Sequence, residues 1–219
     1  MKSYQQLILS NKAWVQEITE QDPQFFKRQV GGQRPEILWI GCSDSRVSPD
    51  QITQTLPGEM FIHRNIANLV HADDLNFMSV LQYAIEVLEV QHIVLCGHYG
   101  CGGIRAVLEG RVQGPIAEWL ENANGVRTRH AHEIESQPSE DAKVNRFVEC
   151  NVRDQLLDVA RTDIVQAAFA KGKALQLHGW VYDVSDGLIK PLLEIDAATD
   201  LDVLSRPQSA LAAEMPEGL

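Results

Sequence analysis

Three side chains of the sequence could bind a soft or borderline metal ion. Cys42 follows a short apolar run, and His98 and Cys101, separated by two residues, follow another. Two thiolates and one imidazole suit zinc, and three protein ligands leave a fourth coordination position, as in catalytic zinc sites. The alternative is a pair of buried structural thiols beside a core histidine. The spacing favours the metal site and leaves this alternative open.

An acidic and a basic residue accompany Cys42. Asp44 lies two residues after Cys42, and Arg46 lies two further on, so in an extended loop the three side chains point to one side. Arg46 can hold Asp44 ionised, and an ionised Asp beside zinc either ligates it or accepts a hydrogen bond from zinc-bound hydroxide. A simple loop salt bridge is the alternative. The adjacent cysteine favours a catalytic role for Asp44 and Arg46.

Two glycines follow Cys101 and are expected to open a helix. The backbone N–H groups of Gly102 and Gly103 would then face the metal, where a helix N-terminus favours thiolate and developing oxyanion. The run from Gly97 to Gly103 does not match the GxGxxG pattern of dinucleotide-binding loops. We therefore expect an anion-stabilising helix start without a nucleotide.

The elements around these residues predict a parallel sheet. Apolar runs at 36–40, 60–64 and 92–97 read as strands, and Asp73 or Asp74 can cap a helix before the third. Strand and helix in alternation favour a parallel sheet with its binding crevice at the carboxyl ends of the strands. Both predicted metal-binding segments begin at such ends.

The rest of the chain predicts helices, one hairpin and an N-terminal arm. Helices are expected at about 4–26, 115–122, 139–160 and 162–171; strands at 174–184 and 188–195 are joined by an Asp186-Gly187 turn. The predicted fold is α/β, a mainly parallel central sheet flanked by helices with an antiparallel edge strand and an N-terminal helical arm. The polar segment 126–139 is expected to be an exposed loop.

Composition narrows the function classes. The 219 residues carry a formal charge of −11, which disfavours nucleic acid and anionic membranes as partners. No signal-peptide pattern and no apolar run of about 18 residues is found. The four cysteines suit metal ligands or buried thiols better than disulfides, so a cytoplasmic location is expected.

The two motifs together resemble a known family. Cys42-Ser-Asp44-Ser-Arg46, followed by Gly97-His98-Tyr99-Gly100-Cys101-Gly102-Gly103, is similar to the paired signature of the β-class carbonic anhydrases. The resemblance implies one domain over 1–219, with a helical arm (1–34), a catalytic α/β core (35–195) and a C-terminal segment (196–219). It implies one Zn²⁺ per subunit, reversible hydration of carbon dioxide to bicarbonate by zinc-hydroxide attack, and a dimer or tetramer in which the arm embraces a neighbour.

The resemblance also assigns substrate residues. Carbon dioxide is small and uncharged, so it needs an apolar slot, which Phe61, Tyr83 and Val87 would line. Gln33 would donate an amide hydrogen bond to the substrate. Together with the Gly102 and Gly103 amides, Gln33 would stabilise the developing oxygen charge.

A bicarbonate-regulated subclass, of bacterial type, resembles the chain further through Trp39, Arg64 and Tyr182. Bicarbonate held there would favour a loop position in which Asp44 leaves Arg46 and occupies the fourth zinc position, as would low pH. The alternative is a core tryptophan and tyrosine with a surface arginine.

Two other functions remain compatible with the sequence. Carbonyl sulfide and carbon disulfide hydrolases resemble the same family, and a closed Cys-Asp-His-Cys site would suit a non-catalytic zinc-binding regulatory protein. The remaining chemistry-bearing residues are given no role. His130 and His132 are expected to be solvated loop residues, and Cys96 and Cys150 packed thiols.

Overall fold

The computed structural model describes residues 3–205. Contacts divide the chain into two units, residues 1–34 and residues 35–219. The described helices are α1 (Tyr4–Gln21), α2 (Phe25–Gln29), α3 (Pro49–Thr53), α4 (Leu75–Gln82), α5 (Gly102–Glu109), α6 (Pro115–Arg129), α7 (Ala131–Glu135), α8 (Glu140–Arg161), α9 (Asp163–Ala170) and α10 (Leu201–Leu204). The strands are β1 (Ile37–Cys42), β2 (Met60–Asn65), β3 (His92–His98), β4 (Gln176–Tyr182) and β5 (Ile189–Ile195).

The N-terminal unit consists of α1 and α2. Ser3 caps α1 in a capping box: its hydroxyl accepts from the Gln6 amide, and the Gln6 side chain accepts from the Ser3 amide. No residue of α1 is buried. The rings of Trp14, Phe25 and Phe26 pack edge to face and join the two helices.

The second unit contains a five-stranded sheet in the order β2-β1-β3-β4-β5. The first four strands are parallel to one another, and β5 runs antiparallel to β4 at the edge. The predicted fold class is thus confirmed. Gly41 pairs with Cys96 in the β1–β3 register, so Cys42 and His98 end neighbouring strands at the same edge of the sheet. This placement follows from the parallel pairing alone.

Close packing of α8 on β3 and β4 fixes the middle of the sheet. A Cβ built at Gly97 would lie 2.6 Å from Val152 Cγ2, and one at Gly179 would collide with Leu193. Only glycine at these positions lets the helix and the neighbouring strand approach this closely. The residue before His98 is therefore held against α8.

The structure overturns the exposed loop predicted at 126–139. Helix α6 continues to Arg129, α7 spans Ala131–Glu135, and both Val126 and Ile134 are fully buried. Val126, His130 and Ile134 recur at four-residue spacing, so they form one inward face among charged neighbours. The many charged residues between these positions hid the helical spacing, so the sequence analysis predicted a loop. His130 is buried as well, which contradicts its prediction as a solvated residue, whereas His132 is exposed.

The C-terminal segment begins with a short helix that the sequence analysis missed. Asp200 caps α10 by accepting hydrogen bonds from the amides of Asp202 and Val203. The remainder of the predicted segment, 206–219, lies outside the described residues. Within residues 3–205, no helix has both the length and the apolar character that crossing a membrane requires.

Candidate metal centre

The three predicted ligands converge at the carboxyl edge of the sheet. Cys42 is the last residue of β1, His98 is the last residue of β3, and Cys101 precedes α5. The two sulfurs lie 3.9 Å apart, and all three possible ligand atoms lie within 4.8 Å of one another. All three residues are buried. The predicted cluster is therefore present in one chain, without any contribution from a special long loop.

The ring of His98 leaves one nitrogen for a ligand. Its Nδ1 lies 3.2 Å from the carbonyl oxygen of Tyr99, to which Nδ1–H can donate. Its Nε2 is buried and has no hydrogen-bond partner among the described residues. A buried polar atom without a partner is costly, and a histidine that donates through one nitrogen presents the other as a metal ligand. The geometry of His98 thus fits a metal ion.

The electrostatics of the two sulfurs also fit a cation. A hydrogen bond from Cys101 lowers the pKa of Cys42 to about 4, opposed by burial and aided by His98 and by the Asp44 amide. The pKa of Cys101 is raised, because its proton bonds to Cys42 and because burial disfavours a second charge. Two thiolates this close need a positive ion between them. Zinc, which binds thiolates as anions, would meet that need.

Asp44 and Arg46 form the predicted pair beside the cluster. Arg46 donates through Nε and Nη2 to the two carboxylate oxygens of Asp44, at 3.0 and 2.8 Å. These bonds hold the pKa of the Asp44 carboxyl far below its usual range. Asp44 Oδ2 also lies 3.8 Å from His98 Nε2, so the ionised carboxylate borders the space that the three ligand atoms enclose.

Arg64 ties the loop after β1 to the end of β2. Its guanidinium donates to the carbonyl oxygens of Cys42, at 2.8 Å, and of Asp44, at 2.6 Å. Trp39 and Tyr182 pack in the same small apolar cluster on one face of the sheet. The indole N–H of Trp39 is buried and has no hydrogen-bond partner among the described residues.

The predicted apolar slot lies elsewhere on the chain. The rings of Phe61 and Tyr83 contact each other with centroids 5.8 Å apart, while the side chains of Tyr83 and Val87 are exposed. Phe61 pairs with Leu38, four residues before Cys42, which corresponds to about 13 Å along a strand. Phe61 is half-buried against the core, and it and the Tyr83 ring lie at a distance from the ligand residues of their own chain.

The remaining predicted residues border the cluster or lie in the first unit. Gly102 and Gly103 begin α5, and a Cβ at Gly103 would come within 3.0 Å of Ile66. The backbone amides of Ile104 and Gly103 act to lower the pKa of Cys101, against the larger effects that raise it. Gln33 lies in the N-terminal unit, after α2. Its role toward substrate stays a prediction.

Sequence reasoning missed the residues of α8 that hold the metal-binding loop. The Tyr99 hydroxyl donates to Glu149 at 2.6 Å, and the Gly100 amide donates to Asn145 Oδ1 at 3.1 Å. Both contacts join residues more than forty positions apart, so no local pattern could reveal them.

Helix α8 also stabilises an unusual backbone conformation after β2. Asn151 donates a hydrogen bond to the carbonyl oxygen of Ala67, whose φ of 65° is rare for alanine.

Fold and site together define a class, namely α/β proteins with a Cys-His-Cys cluster that could hold a metal ion at the carboxyl edge of a parallel sheet. The family model for carbonic anhydrases matches residues 37–189. The chain therefore belongs to the carbonic anhydrase family, as the sequence motifs predicted.

Individual relatives agree on this assignment and on the β class. A carbonic anhydrase of Emericella nidulans is 42% identical over 87% of this chain and 84% of its own length, and one of Pseudomonas aeruginosa is 39% identical over 77% and 78%. A Coccomyxa β-carbonic anhydrase in complex with acetazolamide superposes with a TM-score of 0.86, at 35% identity over 98% of this chain and all of that chain. A tetrameric β-carbonic anhydrase of Sordaria macrospora gives 0.85, at 40% identity over 88% and 98%. The predicted enzyme class, carbonic anhydrase, is confirmed.

Proposed function

We propose that the protein hydrates carbon dioxide reversibly to bicarbonate at one zinc ion per subunit, held by Cys42, His98 and Cys101. The observation that carries the proposal is the buried Nε2 of His98, which has no hydrogen-bond partner among the described residues and faces two sulfurs 3.9 Å apart. Zinc bound there would supply a water of lowered pKa, and hence a nucleophile near neutral pH.

Asp44 is proposed to orient that water. Its carboxylate is kept ionised by Arg46, so it acts as an acceptor and not as a donor. An acceptor beside the cluster fixes the direction of the water's O–H bond and turns a lone pair toward the substrate. Gln33 and the amides at the start of α5 are proposed to donate to the substrate oxygens as negative charge develops.

Self-association is proposed to complete the substrate slot. The tetrameric relative of Sordaria macrospora supports a dimer or tetramer for this chain. Tyr83 and Val87 are exposed, and so are the apolar side chains of α1 (Tyr4, Leu7, Ile8, Leu9, Trp14 and Val15), which a second copy could cover. We therefore propose that Phe61, Tyr83 and Val87 line an apolar slot for carbon dioxide at an interface between copies.

The bicarbonate-regulated subclass is proposed from the surroundings of Arg64. Its guanidinium holds the carbonyl of Asp44, and the unpartnered indole N–H of Trp39 is a donor that a bicarbonate oxygen could use. Bicarbonate bound among Trp39, Arg64 and Tyr182 would draw Arg64 from the loop, so that Asp44 could leave Arg46 and take the fourth metal position. Arg64→Ala should then weaken bicarbonate inhibition; unchanged inhibition and an unchanged pH profile would exclude the switch.

A cytoplasmic location is proposed from the thiols. All four cysteines, 42, 96, 101 and 150, are free in the structure. Metal-binding thiolates persist best in a reducing compartment.

Stopped-flow hydration of carbon dioxide by zinc-loaded protein, at pH 7 and pH 9, tests the proposed activity. The expected result is turnover at both values, faster at pH 9 because deprotonation of the bound water is favoured there. Cys42→Ser should abolish turnover, and Cys96→Ser, in which the changed thiol lies within β3, is the matched control. Turnover of carbonyl sulfide or carbon disulfide alone would indicate the hydrolase alternative. No turnover of any of the three would indicate a non-catalytic zinc protein.

A further inference from the structure

A second buried cluster of reactive side chains lies away from the metal centre, between α7 and α8. His130 precedes α7, Glu133 lies within it, and Cys150 lies in α8, with one possible ligand atom from each within 4.8 Å of the others. Asp154 follows Cys150 by one helical turn and faces the same imidazole. No step of the proposed hydration uses these residues, so their arrangement requires a separate explanation.

The arrangement places the His130 imidazole among two carboxylates and a thiol: its Nδ1 lies 3.5 Å from Glu133 Oε1, the Cys150 thiol donates to Glu133 Oε2 at 3.9 Å, and the thiol and the imidazole lie within 4.8 Å of each other. His130 Nε2 lies 2.9 Å from Asp154 Oδ1, and the other oxygen of Asp154 accepts from Arg129. The order Cys150, His130, Asp154 is the one in which a carboxylate orients a histidine and the histidine takes the proton of a nucleophilic thiol. In this order the imidazole takes the thiol proton as the sulfur acts as a nucleophile.

The charges of the cluster agree with such a pair. Burial alone would lower the pKa of His130, but its hydrogen bonds with Asp154 and Cys150 raise that pKa to about 10. The imidazole is therefore protonated at neutral pH. Cys96 offers the contrast within the same chain, because burial in β3 raises the pKa of its thiol to about 12. Of the two cysteines outside the metal centre, Cys150 is therefore the one that has a charged imidazole nearby.

The same charges disfavour a second metal ion at this place. The carboxylate of Glu133 is bound by Arg146, which also donates to Glu149 at 2.8 Å. A dication among His130, Glu133 and Cys150 would lie next to the Arg146 guanidinium, and His130 would first have to release its proton. The negative groups of the cluster are already compensated by side chains.

A cavity of about 200 Å³ gives small molecules access to the sulfur. Cys150, Glu133 and two arginines, Arg146 and Arg153, contribute to its lining, together with leucines of β5 and α10. Cys150 itself is only 3% exposed, so a reagent must be small to reach it. Hydrogen peroxide is small and uncharged, and its leaving oxygen can accept a proton from His130.

We propose that Cys150 is an oxidisable thiol that reacts with hydrogen peroxide, with His130 as its acid–base partner. The sulfur attacks one peroxide oxygen, an S–O bond forms, and the O–O bond breaks. Sulfur is oxidised by two electrons and peroxide is reduced; the leaving hydroxide takes the His130 proton and departs as water. The product is a sulfenic acid at Cys150 beside a neutral imidazole.

Peroxide treatment of the zinc-loaded full chain tests this proposal. After exposure to about one equivalent of hydrogen peroxide and trapping with dimedone, peptide mass spectrometry should find the label at Cys150 and not at Cys96. His130→Gln, checked for folding by circular dichroism, should slow labelling at least about tenfold. Cys150→Ser should remove the label, while Cys96→Ser should leave it unchanged. Equal labelling of Cys96 and Cys150, or a folded His130→Gln variant that labels at the normal rate, would overturn the proposal.

Alkylation of the unaltered protein provides a measurement that does not depend on any variant. Iodoacetamide is small and uncharged, so through the cavity it should modify Cys150 and spare Cys96, which is fully buried in β3. No modification of Cys150, or equal modification of Cys96, would contradict an accessible nucleophilic sulfur at Cys150. Zinc content provides the last check: a second zinc ion per chain that is lost in Cys150→Ser would show that the cluster is a metal site instead.

Discussion

Two buried clusters in this chain each bring a histidine and at least one cysteine within 4.8 Å of each other, yet the surroundings of the two clusters differ. Around Cys42, His98 and Cys101, the nearby guanidinium of Arg46 is bound to Asp44, and His98 Nε2 has no hydrogen-bond partner among the described residues. In the cluster of His130, Glu133 and Cys150, the imidazole is bound by Asp154 and the carboxylate by Arg146.

The difference shows that ligand types alone do not define a metal site. What distinguishes the first cluster is the buried Nε2 of His98, which has no hydrogen-bond partner among residues 3–205 and lies beside two sulfurs 3.9 Å apart. In the second cluster, cationic side chains already occupy the places where a metal ion would stabilise negative charge. A metal ion is thus expected in the first cluster only.

The largest expected effect separates the clusters by metal content. Cys42→Ser should lose its zinc and reduce carbon dioxide hydration by more than about 100-fold, since even loss of a residue that supports a ligand costs 10–100-fold. Cys150→Ser is the matched control and should keep one zinc per chain and near-normal turnover. Elemental analysis and stopped-flow hydration measure both. Zinc retained by Cys42→Ser would remove the basis of the comparison.

Two arginines sharpen the contrast further. Arg46→Leu should reduce hydration by about tenfold, because it frees the carboxylate of Asp44, with little change in unfolding, because the Arg46 side chain is itself exposed. Arg146→Leu should instead lower the free energy of unfolding by about 3 kcal/mol, because it removes a guanidinium from the buried Glu133. Urea denaturation and turnover, measured on both variants, check this. The comparison fails if the two variants lose stability and activity in the same proportion.

A third prediction concerns the pH dependence of stability. The pKa of His130 is raised in the folded protein, to about 10 from an ordinary value of 6.5, so its charged form stabilises the fold below pH 6.5. That contribution declines as the pH rises toward 10. His130→Gln should therefore cost roughly 2 kcal/mol at pH 6 and much less at pH 10. Urea denaturation across this range tests the sign, and an equal cost at both ends would contradict it.

The smallest expected effect lies at the link between the two clusters. Tyr99 follows His98 and donates to Glu149, which in turn accepts from Arg146. Tyr99→Phe removes one hydrogen bond and should cost about 1 kcal/mol in unfolding. Turnover should fall less than about tenfold, because the Gly100 amide still donates to Asn145. A loss of zinc in this variant would show that the link is more important than its single bond suggests.

Local patterns were sufficient for the strands and for the metal ligands. The apolar runs ending at Cys42 and His98 predicted β1 and β3, and parallel pairing then required both residues to lie at one edge of the sheet. The Asp44–Arg46 pair could be predicted equally well, since a single residue separates its members in the loop after β1. The helix expected at about 162–171 is confirmed as α9 for the same reason, because its cap, Thr162, accepts a hydrogen bond from the amide of Val165, a neighbour in sequence.

The sequence by itself determined the sheet, its polarity and the identity of the ligand set, because these depend on residue type and on short-range periodicity. Only the tertiary structure decided the burial of His130, its contact with Asp154 and the hydrogen bond from the Tyr99 hydroxyl to Glu149. These contacts join residues on separate helices and loops, and the attraction between their polar and charged groups is strong only where water is excluded. Water is excluded there only when α8 packs on the sheet and on α7.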